Sequence, residues 1–305
     1  MKSNTVVTGG SGLVGTYLKE IIPDAIYLSS KNFDLTKESE VVKMFETYSP
    51  STVVHLAAKV GGILDNINKP AEYFLDNIKM NSLLTEYAYK FQVKRFIGIL
   101  SSCIYPDTSD HYPLKEEDLH LGPPAPTNFS YGYAKRCQAV LIDAYNQQYG
   151  TNFQYLTPCN LFGAGDKDEE TKSHFVTALI KKIILAKINK HSYITLFGDG
   201  TPLRQFMHGR DFAKVISLVL KNNITDNFNV CSEENLSIKE IAEIALEACD
   251  AKYLGIEWDK SKPNGQMRKD LCSEKMKKVL PDFKCSFLVE GIKETYKIEY
   301  DKISK

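Results

Sequence analysis

The stretch Val6-Val7-Thr8-Gly9-Gly10-Ser11-Gly12-Leu13-Val14-Gly15 decides the fold class. It begins as a short β-branched run and ends in an amphipathic pattern, so Gly9, Gly12 and Gly15 lie between a predicted strand and a predicted helix. Glycines at this spacing allow a tight turn, let the backbone approach a pyrophosphate and let the helix pack closely on the strand. A turn needed only for geometry would use the same residues. Their place between a strand and a helix whose N-terminus can face phosphates favours dinucleotide binding.

Strand and helix patterns alternate regularly through the first half of the chain. Strands are predicted at residues 5–8, 25–28, 52–56, 95–101 and 153–157, and helices at residues 13–22, 37–48, 71–91 and 133–149. This alternation is typical of a parallel sheet with helices on both faces, where ligands bind beyond the carboxyl ends of the strands. The sequence therefore predicts an α/β fold with a Rossmann-type doubly wound parallel sheet in residues 1–160.

The pattern is less regular after residue 160. Helices are predicted at residues 174–187 and 211–220 and a strand at residues 193–197. Ser237 and Glu240 form a capping-box pattern that opens a further helix to about residue 249. We predict that residues 161–305 form mainly a smaller C-terminal α/β substrate lobe, with some segments returning to the Rossmann domain.

Composition and charge restrict the classes of partner. The 305 residues contain 38 Lys plus Arg and 38 Asp plus Glu, so the chain lacks the basic excess of a general nucleic-acid binder. No apolar run approaches the roughly 18–20 residues that cross a bilayer, and residues 1–8 do not form a secretory signal. The seven cysteines are odd in number and contain no Cys-x-x-Cys pair, which favours reduced thiols over disulfides or a metal site. We expect a cytoplasmic protein with no metal, membrane or nucleic-acid partner.

The end of the second strand bears on the choice of dinucleotide. Leu28-Ser29-Ser30-Lys31 lacks a carboxylate placed for a ribose 2′-hydroxyl, and its hydroxyls and cation suit a 2′-phosphate. We therefore predict NADP(H), with Ser30 and Lys31 at the phosphate. Asp34 either reaches the adenine or caps the helix at residues 37–48.

A possible reductase centre lies on two later segments. Tyr131 and Lys135 are four residues apart and so share one helix face, and Ser101 ends the fourth strand. An ammonium beside a tyrosine favours phenolate and would lower the pKa of Tyr131 toward neutrality, while Ser101 can bond the same carbonyl oxygen. A tyrosine and a lysine one turn apart also recur by chance. The glycine loop and the strand-end serine together favour the catalytic interpretation.

These motifs resemble those of the extended short-chain dehydrogenase/reductases, and more specific blocks are similar to the GDP-L-fucose synthase family. The blocks are residues 29–31 with 34–36, His55-Leu56-Ala57-Ala58-Lys59-Val60-Gly61-Gly62-Ile63, Ser101-Ser102-Cys103-Ile104-Tyr105-Pro106, residues 197–206 and residues 265–269. The resemblance implies an NADPH-dependent enzyme that inverts C3 and C5 of GDP-4-keto-6-deoxy-D-mannose and then reduces C4, giving GDP-L-fucose.

The resemblance also implies site residues. It gives the acid and base of the epimerisation to Cys103 and His174, without deciding which is which. Cysteine is often only a packing residue, and His174 can instead cap a helix or face solvent. The full set expected to bind the cofactor is Gly9, Gly12, Leu13, Val14, Gly15, Ser30, Lys31, Asp34, Leu56, Ala57, Ala58, Tyr131, Lys135, Pro158, Asn160, Leu161 and His174.

For the GDP moiety the resemblance points to Lys182, Phe197, Arg204 and Lys269. The cations suit a diphosphate, and Phe197 packs either on a ring or in the core. The chain departs from the family pattern at Lys182, Phe197 and Cys159, and most clearly at Gly163-Ala164-Gly165-Asp166-Lys167-Asp168-Glu169-Glu170.

Because that last segment leads into the sugar site, a reductase or epimerase acting on another nucleotide-linked 4-keto sugar, such as a heptose or a dideoxy sugar, is the alternative. A non-catalytic NADP-sensing protein is a third possibility, although a sensor needs no Tyr131. By analogy with relatives we expect a homodimer formed through the helices at residues 71–91 and 133–149.

Overall fold

The computed structural model describes residues 4–166 and 174–304. Its strands are β1 Thr5–Thr8, β2 Ile26–Leu28, β3 Thr52–His55, β4 Arg95–Ile99, β5 Phe153–Pro158, β6 Asn160–Phe162, β7 Tyr193–Phe197, β8 Leu203–His208, β9 Phe228–Val230, β10 Asn235–Ser237 and β11 Gly255–Asp259. Its helices are α1 Leu13–Ile21, α2 Glu38–Tyr48, α3 Ile63–Asn68, α4 Pro70–Lys90, α5 Phe129–Tyr149, α6 Phe175–Ile188, α7 Gly209–Lys221, α8 Ile238–Ala248, α9 Glu274–Val279 and α10 Leu288–Ile303.

A six-stranded parallel sheet forms the centre of the molecule, in the order β2-β1-β3-β4-β5-β9. Every residue of β3 and β4 is buried, including Val53, Val54, Phe96 and Ile97. Continuous burial of this kind marks strands covered by helices on both faces, and it explains why these segments are apolar runs rather than alternating ones. The predicted Rossmann-type α/β fold is confirmed.

The second half of the chain contributes to two regions. A three-stranded sheet of order β10-β8-β6 and the parallel pair β11-β7 pack with α6, α8 and α10 around an apolar core. In contrast, β9 pairs with β5 at the edge of the central sheet, and α7 packs against α1. The chain thus returns to the first sheet after entering the smaller lobe. The division at residue 160 stays a prediction, with this return as its exception.

The helix that carries Tyr131 begins earlier than predicted. We expected it to start at residue 133, but α5 begins at Phe129, directly after a one-turn 3₁₀ helix at Pro126–Asn128. The aromatic residues that precede Tyr133 gave no cap signal. As a result Tyr131 lies in the first turn of α5, with Lys135 one turn further along the same helix.

The capping box predicted at the start of α8 is confirmed. Ser237 Oγ accepts a hydrogen bond from the Glu240 amide at 3.1 Å.

Within residues 4–166 and 174–304, no helix combines the length and apolar character needed to cross a membrane. The same part of the chain brings together no group of three or more His, Cys, Asp or Glu residues suited to a metal ion.

Candidate active site

One cavity of about 1240 Å³ lies at the carboxyl ends of the central strands. The Rossmann domain lines one side of it and the C-terminal lobe lines the other. Nearly all the predicted site residues line this cavity, although they come from segments far apart in the sequence. They are Gly9, Gly12, Leu13, Val14, Gly15, Ser30, Asp34, Leu56, Ala57, Ala58, Ser101, Cys103, Tyr131, Lys135, Pro158, Asn160, Leu161, His174, Lys182, Phe197, Arg204 and Lys269.

The glycine loop is packed so closely that side chains at Gly9 and Gly15 would meet backbone atoms. Gly9 has a φ of 71°, in the left-handed region, and a Cβ there would lie 2.6 Å from the amide nitrogen of Ala57. A Cβ on Gly15 would lie 2.6 Å from the carbonyl oxygen of Gly10. Gly12 is the N-cap of α1, so the free amides of this helix face the cavity. Glycine at these positions thus allows the close backbone approach and the close helix packing that are typical of a pyrophosphate-binding loop.

Lys31 is the exception among the predicted cofactor residues. Ser29 and Asn32 close a turn, in which the Ser29 amide donates to Asn32 Oδ1 at 2.8 Å. Ser30 lines the cavity from this turn, whereas Lys31 is exposed and is not part of the cavity wall. The contact expected from Lys31 to a 2′-phosphate therefore stays a prediction.

Asp34 lines the cavity and does not cap the following helix. Its Oδ1 accepts hydrogen bonds from the Thr36 hydroxyl at 2.7 Å and the Thr36 amide at 3.1 Å, and Lys37 is the N-cap of α2. These hydrogen bonds, led by the one from the Thr36 hydroxyl, lower the pKa of the Asp34 carboxyl. Of the two predicted alternatives, the position at the cavity agrees with the structure and capping of α2 does not.

Burial governs the protonation of the reductase centre. Burial is the largest cause that raises the pKa of Tyr131, Cys103 raises it further, and a hydrogen bond with Ser101 lowers it. Lys135 is 2% exposed, its ammonium donates to the carbonyl of Ile99 at 2.7 Å, and burial lowers its pKa from 10.5 to about 7.

The prediction that Lys135 lowers the pKa of Tyr131 is therefore wrong for this structure. The Lys135 ammonium is bonded to a main-chain carbonyl, and loss of solvent raises the pKa of the phenol. Tyr131 consequently keeps its proton through the neutral range and can give it to an oxygen in the cavity.

Two cations from the C-terminal lobe approach Cys103. Lys269 Nζ lies 3.6 Å from Cys103 Sγ, and the Arg204 guanidinium is close enough to interact electrostatically with the same thiol. Burial lowers the pKa of Arg204 to about 10 and also lowers the pKa of Lys269, while Cys103 opposes both shifts. Lys269 and Arg204 thus place two buried positive charges beside the Cys103 sulfur.

His174 occupies the N-cap of α6 and is bound by Asp166. Its Nδ1 lies 3.0 Å from Asp166 Oδ2 and 3.1 Å from Oδ1, and its amide donates to Oδ2 at 2.7 Å. The alternative interpretation, a histidine that caps a helix or faces solvent, agrees in part with the structure, because the His174 side chain is 38% exposed. The residue nevertheless also lines the cavity. Residues 167–170 of the segment that departs from the family pattern lie outside the described residues.

The residues predicted to hold GDP all line the cavity. Lys182 Nζ donates to the carbonyl of Thr195 at 2.9 Å and lies 5.5 Å from the centre of the Phe197 ring. Phe197 is 47% exposed and is therefore not a core residue. Arg204 and Lys269 are both 9% exposed. Buried cations beside an open aromatic ring form a site that can bind a diphosphate and an attached ring.

Asp166 and Asn128 are among the polar residues of this cavity that sequence reasoning missed. Asp166 was quoted only as part of a divergent segment, and nothing in its spacing linked it to His174. Asn128 precedes α5 and has the signal of an N-cap, but its side chain makes no cap hydrogen bond and lines the cavity with a buried, unpartnered Oδ1. An asparagine at a helix start is normally interpreted as a cap, so only the structure separates the two roles.

Comparison with known proteins agrees with this geometry. Residues 5–231 match the NAD dependent epimerase/dehydratase family. The chain is 35% identical over 304 residues to a GDP-L-fucose synthase of Dictyostelium discoideum, covering 96% of this chain and 94% of that relative. The chain belongs to the GDP-L-fucose synthase family. The family predicted from the sequence is thus confirmed, and with it the prediction of an enzyme of the epimerase/dehydratase class.

Two further proteins to which the chain is similar bear on the site. A crystal structure of a GDP-L-fucose synthetase from Naegleria fowleri bound to NADP superposes with a TM-score of 0.88 at 31% identity, covering 100% of this chain and 96% of that one. A GDP-L-colitose synthase of Yersinia pseudotuberculosis is 33% identical over 276 residues, covering 87% of each chain. The GDP-L-fucose synthase family therefore has at least one close relative with a different named product.

Proposed function

We propose that this protein converts GDP-4-keto-6-deoxy-D-mannose to GDP-L-fucose, as an NADPH-dependent 3,5-epimerase and 4-reductase. The observation that carries the proposal is that one cavity holds a reductase centre together with two further proton-transfer groups. Ser101, Tyr131 and Lys135 form the first, and Cys103 and His174 are the second. A simple reductase does not require the second pair.

NADP(H) is the proposed cofactor, because the residues present fit it. Gly9, Gly12 and Gly15 line the cavity as a loop of the kind that binds a pyrophosphate, and the strand-end turn offers Ser30 rather than a carboxylate to the ribose. When bound, NADPH supplies the hydride for the reduction of C4. Pro158, Asn160 and Leu161 also line the cavity, and Asn160 Nδ2 donates to the carbonyl of Gln205 at 2.9 Å, which fixes the Asn160 side chain.

Epimerisation exploits the acidity of carbons that flank a ketone. Removing a proton there produces an enolate, whose oxygen Tyr131 and Ser101 can stabilise. Because the sulfur of Cys103 lies 3.6 Å from the Lys269 ammonium, we assign the base to Cys103. His174 then returns a proton on the opposite face, which inverts the carbon.

Reduction uses Tyr131 again. The raised pKa of Tyr131 keeps its hydroxyl protonated, so the proton needed by the developing alkoxide at C4 is in place. Ser101 orients this hydroxyl through their hydrogen bond. On the GDP side, Arg204 and Lys269 neutralise the diphosphate, and Lys182 with Phe197 borders the base.

The experiment follows hydrogen exchange at carbon. Purified protein is incubated with GDP-4-keto-6-deoxy-D-mannose in deuterium oxide, with and without NADPH, and the products are identified by NMR. We expect deuterium at C3 and C5 without NADPH, and GDP-L-fucose once it is added. Cys103→Ser should suppress the exchange, whereas Cys137→Ser, which changes an exposed thiol, should not. NADPH oxidation without exchange at either carbon would contradict the epimerase half of the proposal, and tight NADPH binding with no turnover would favour a sensor.

A second candidate function is the same chemistry on another GDP-linked 4-keto sugar. The 33% identity to a GDP-L-colitose synthase and the divergent segment that begins at Gly163 both favour including it. The same assay with a dideoxy 4-keto substrate separates the two, because deuterium enters only at carbons that the enzyme inverts. A kcat/KM higher for the dideoxy sugar would replace the primary assignment.

We also infer a homodimer formed through α4 and α5. These helices pack against each other and expose large apolar side chains, including Leu75 on α4 and Val140 on α5, which are 50% and 51% exposed. Light scattering after size-exclusion chromatography should give twice the chain mass, and Leu75→Lys combined with Val140→Lys should halve it. A monomeric mass for the unaltered chain would overturn the inference.

A further inference from the structure

His174 is held by one carboxylate at two points. Both its side-chain Nδ1 and its main-chain amide bind Asp166, at 3.0 Å and 2.7 Å to Oδ2. Asp166 is buried, at 8% exposure, while the histidine side chain remains accessible from the cavity. The carboxylate therefore fixes the start of α6 and the imidazole ring together.

The position of this carboxylate determines which imidazole nitrogen can exchange a proton. A carboxylate only accepts hydrogen bonds, so Nδ1 must carry hydrogen in both the neutral and the protonated ring. Nε2 is then the nitrogen that gains and loses the proton. Among residues 4–166 and 174–304, Nε2 has no hydrogen-bond partner, which leaves it available to a substrate carbon.

The segment that carries Asp166 is itself anchored from both sides. The Ala164 amide donates to the Tyr17 hydroxyl on α1 at 3.0 Å, and the Gly163 amide donates to the Thr177 hydroxyl on α6 at 3.3 Å. Gly165 has a φ of 82°, a conformation that favours glycine and turns the chain back toward α6. The carboxylate is thus placed by the cofactor-side helix and the substrate lobe at once.

We propose that Asp166 is a positioning residue that holds the Nδ1–H tautomer of His174 and aims Nε2 at the substrate carbon. One proton passes between Nε2 and that carbon. The proposal rests on the proposed function for the use of His174 in proton transfer. It adds a residue to which neither the sequence motifs nor the resemblance gave a role.

The test compares Asp166→Asn with a matched control elsewhere in the chain. Asp118 is a second buried aspartate that binds a histidine ring, His111 Nε2 at 3.0 Å, and a main-chain amide, that of Lys115 at 2.7 Å, but it lies outside the cavity. Deuterium exchange at the substrate carbon that His174 protonates should fall by about 10²-fold in Asp166→Asn, the lower end of what a general acid contributes. It should be unchanged in Asp118→Asn. NADPH affinity should be retained in both variants.

Two readouts separate positioning from a merely structural role. Long-range ¹⁵N–¹H spectra of histidine-labelled protein, assigned with His174→Gln, should report the Nδ1–H tautomer of neutral His174 in the unaltered chain and a loss of that preference in Asp166→Asn. In the His174→Gln background, Asp166→Asn should cost little further activity, because Asp166 acts only through His174.

An unchanged tautomer in Asp166→Asn, or additive losses in the double variant, would overturn the proposal. Failure of the proposed function gives a different result. If the unaltered protein exchanges neither C3 nor C5 of any 4-keto sugar, the epimerase assignment fails, while the ¹⁵N spectrum still decides whether Asp166 sets the tautomer.

Discussion

Replacing Lys135 with methionine should change how the stability of the protein depends on pH. In the folded state burial lowers the pKa of Lys135 from 10.5 to about 7, and in the unfolded state the side chain regains its ordinary pKa. Between these values the unfolded chain binds one more proton than the folded chain, so the free energy of unfolding rises with pH. Each pKa unit corresponds to about 1.4 kcal/mol, so the lysine should add about 3 kcal/mol between pH 6 and pH 9.5.

The measurement is urea unfolding of the cofactor-free protein and of Lys135→Met at several values of pH across this range. Methionine fills a similar volume and cannot titrate, so the difference between the two curves isolates the lysine. Loss of the hydrogen bond to the Ile99 carbonyl shifts the difference by a constant and leaves its slope intact. Lys94→Met reports the effect of removing an exposed lysine. A difference that stays flat from pH 6 to pH 9.5 would refute the argument, since the ammonium would then be as well solvated in the fold as outside it.

Three further changes test the site and the fold. Tyr131→Phe should lower kcat for NADPH oxidation by about 10²- to 10⁴-fold with NADPH affinity retained, measured by stopped-flow absorbance, and Tyr133→Phe, whose ring lies outside the cavity wall, should not. Gly9→Ala should weaken NADPH binding and lower Tm by more than Gly150→Ala, because both glycines have positive φ but only at Gly9 does a Cβ meet backbone, at 2.6 Å. Ser237→Ala should cost about 1 kcal/mol in urea unfolding through loss of its cap, whereas Ser273→Ala, at an N-cap without a side-chain hydrogen bond, should be close to neutral.

The sequence was most informative where local chemistry is obligatory. The glycine loop, the buried runs of β3 and β4 and the capping box at Ser237 each follow from short-range rules, and the structure confirms them. The start of α5 was missed although Asn128, a residue type common at helix N-caps, stands directly before it. The pKa of Tyr131 was predicted in the wrong direction, since a sequence shows which charge is one turn away but not how much water is lost.

Contacts between distant segments could be reached only through the resemblance. Cys103 and Lys269 are 166 residues apart, and no periodicity connects them. Asp166 and His174 are close in sequence, but the eight-residue separation has no helical or strand register that would predict a contact.

The charge of the chain shows the same limit of sequence analysis. Composition gives the total charge, and only the fold shows where the charges lie. A net charge of zero excluded a general polyanion binder, and it gave no sign of an anionic ligand. Yet Arg204 and Lys269 are buried at one cavity, and Lys182 lies beside them. Burying two neighbouring cations is costly unless an anion accompanies them. In the proposed function the diphosphate of GDP supplies that negative charge, so the arrangement is best balanced when the nucleotide is bound. Across the cavity, the glycine loop and the N-terminus of α1 offer main-chain amides, the groups proposed to hold the pyrophosphate of NADP(H).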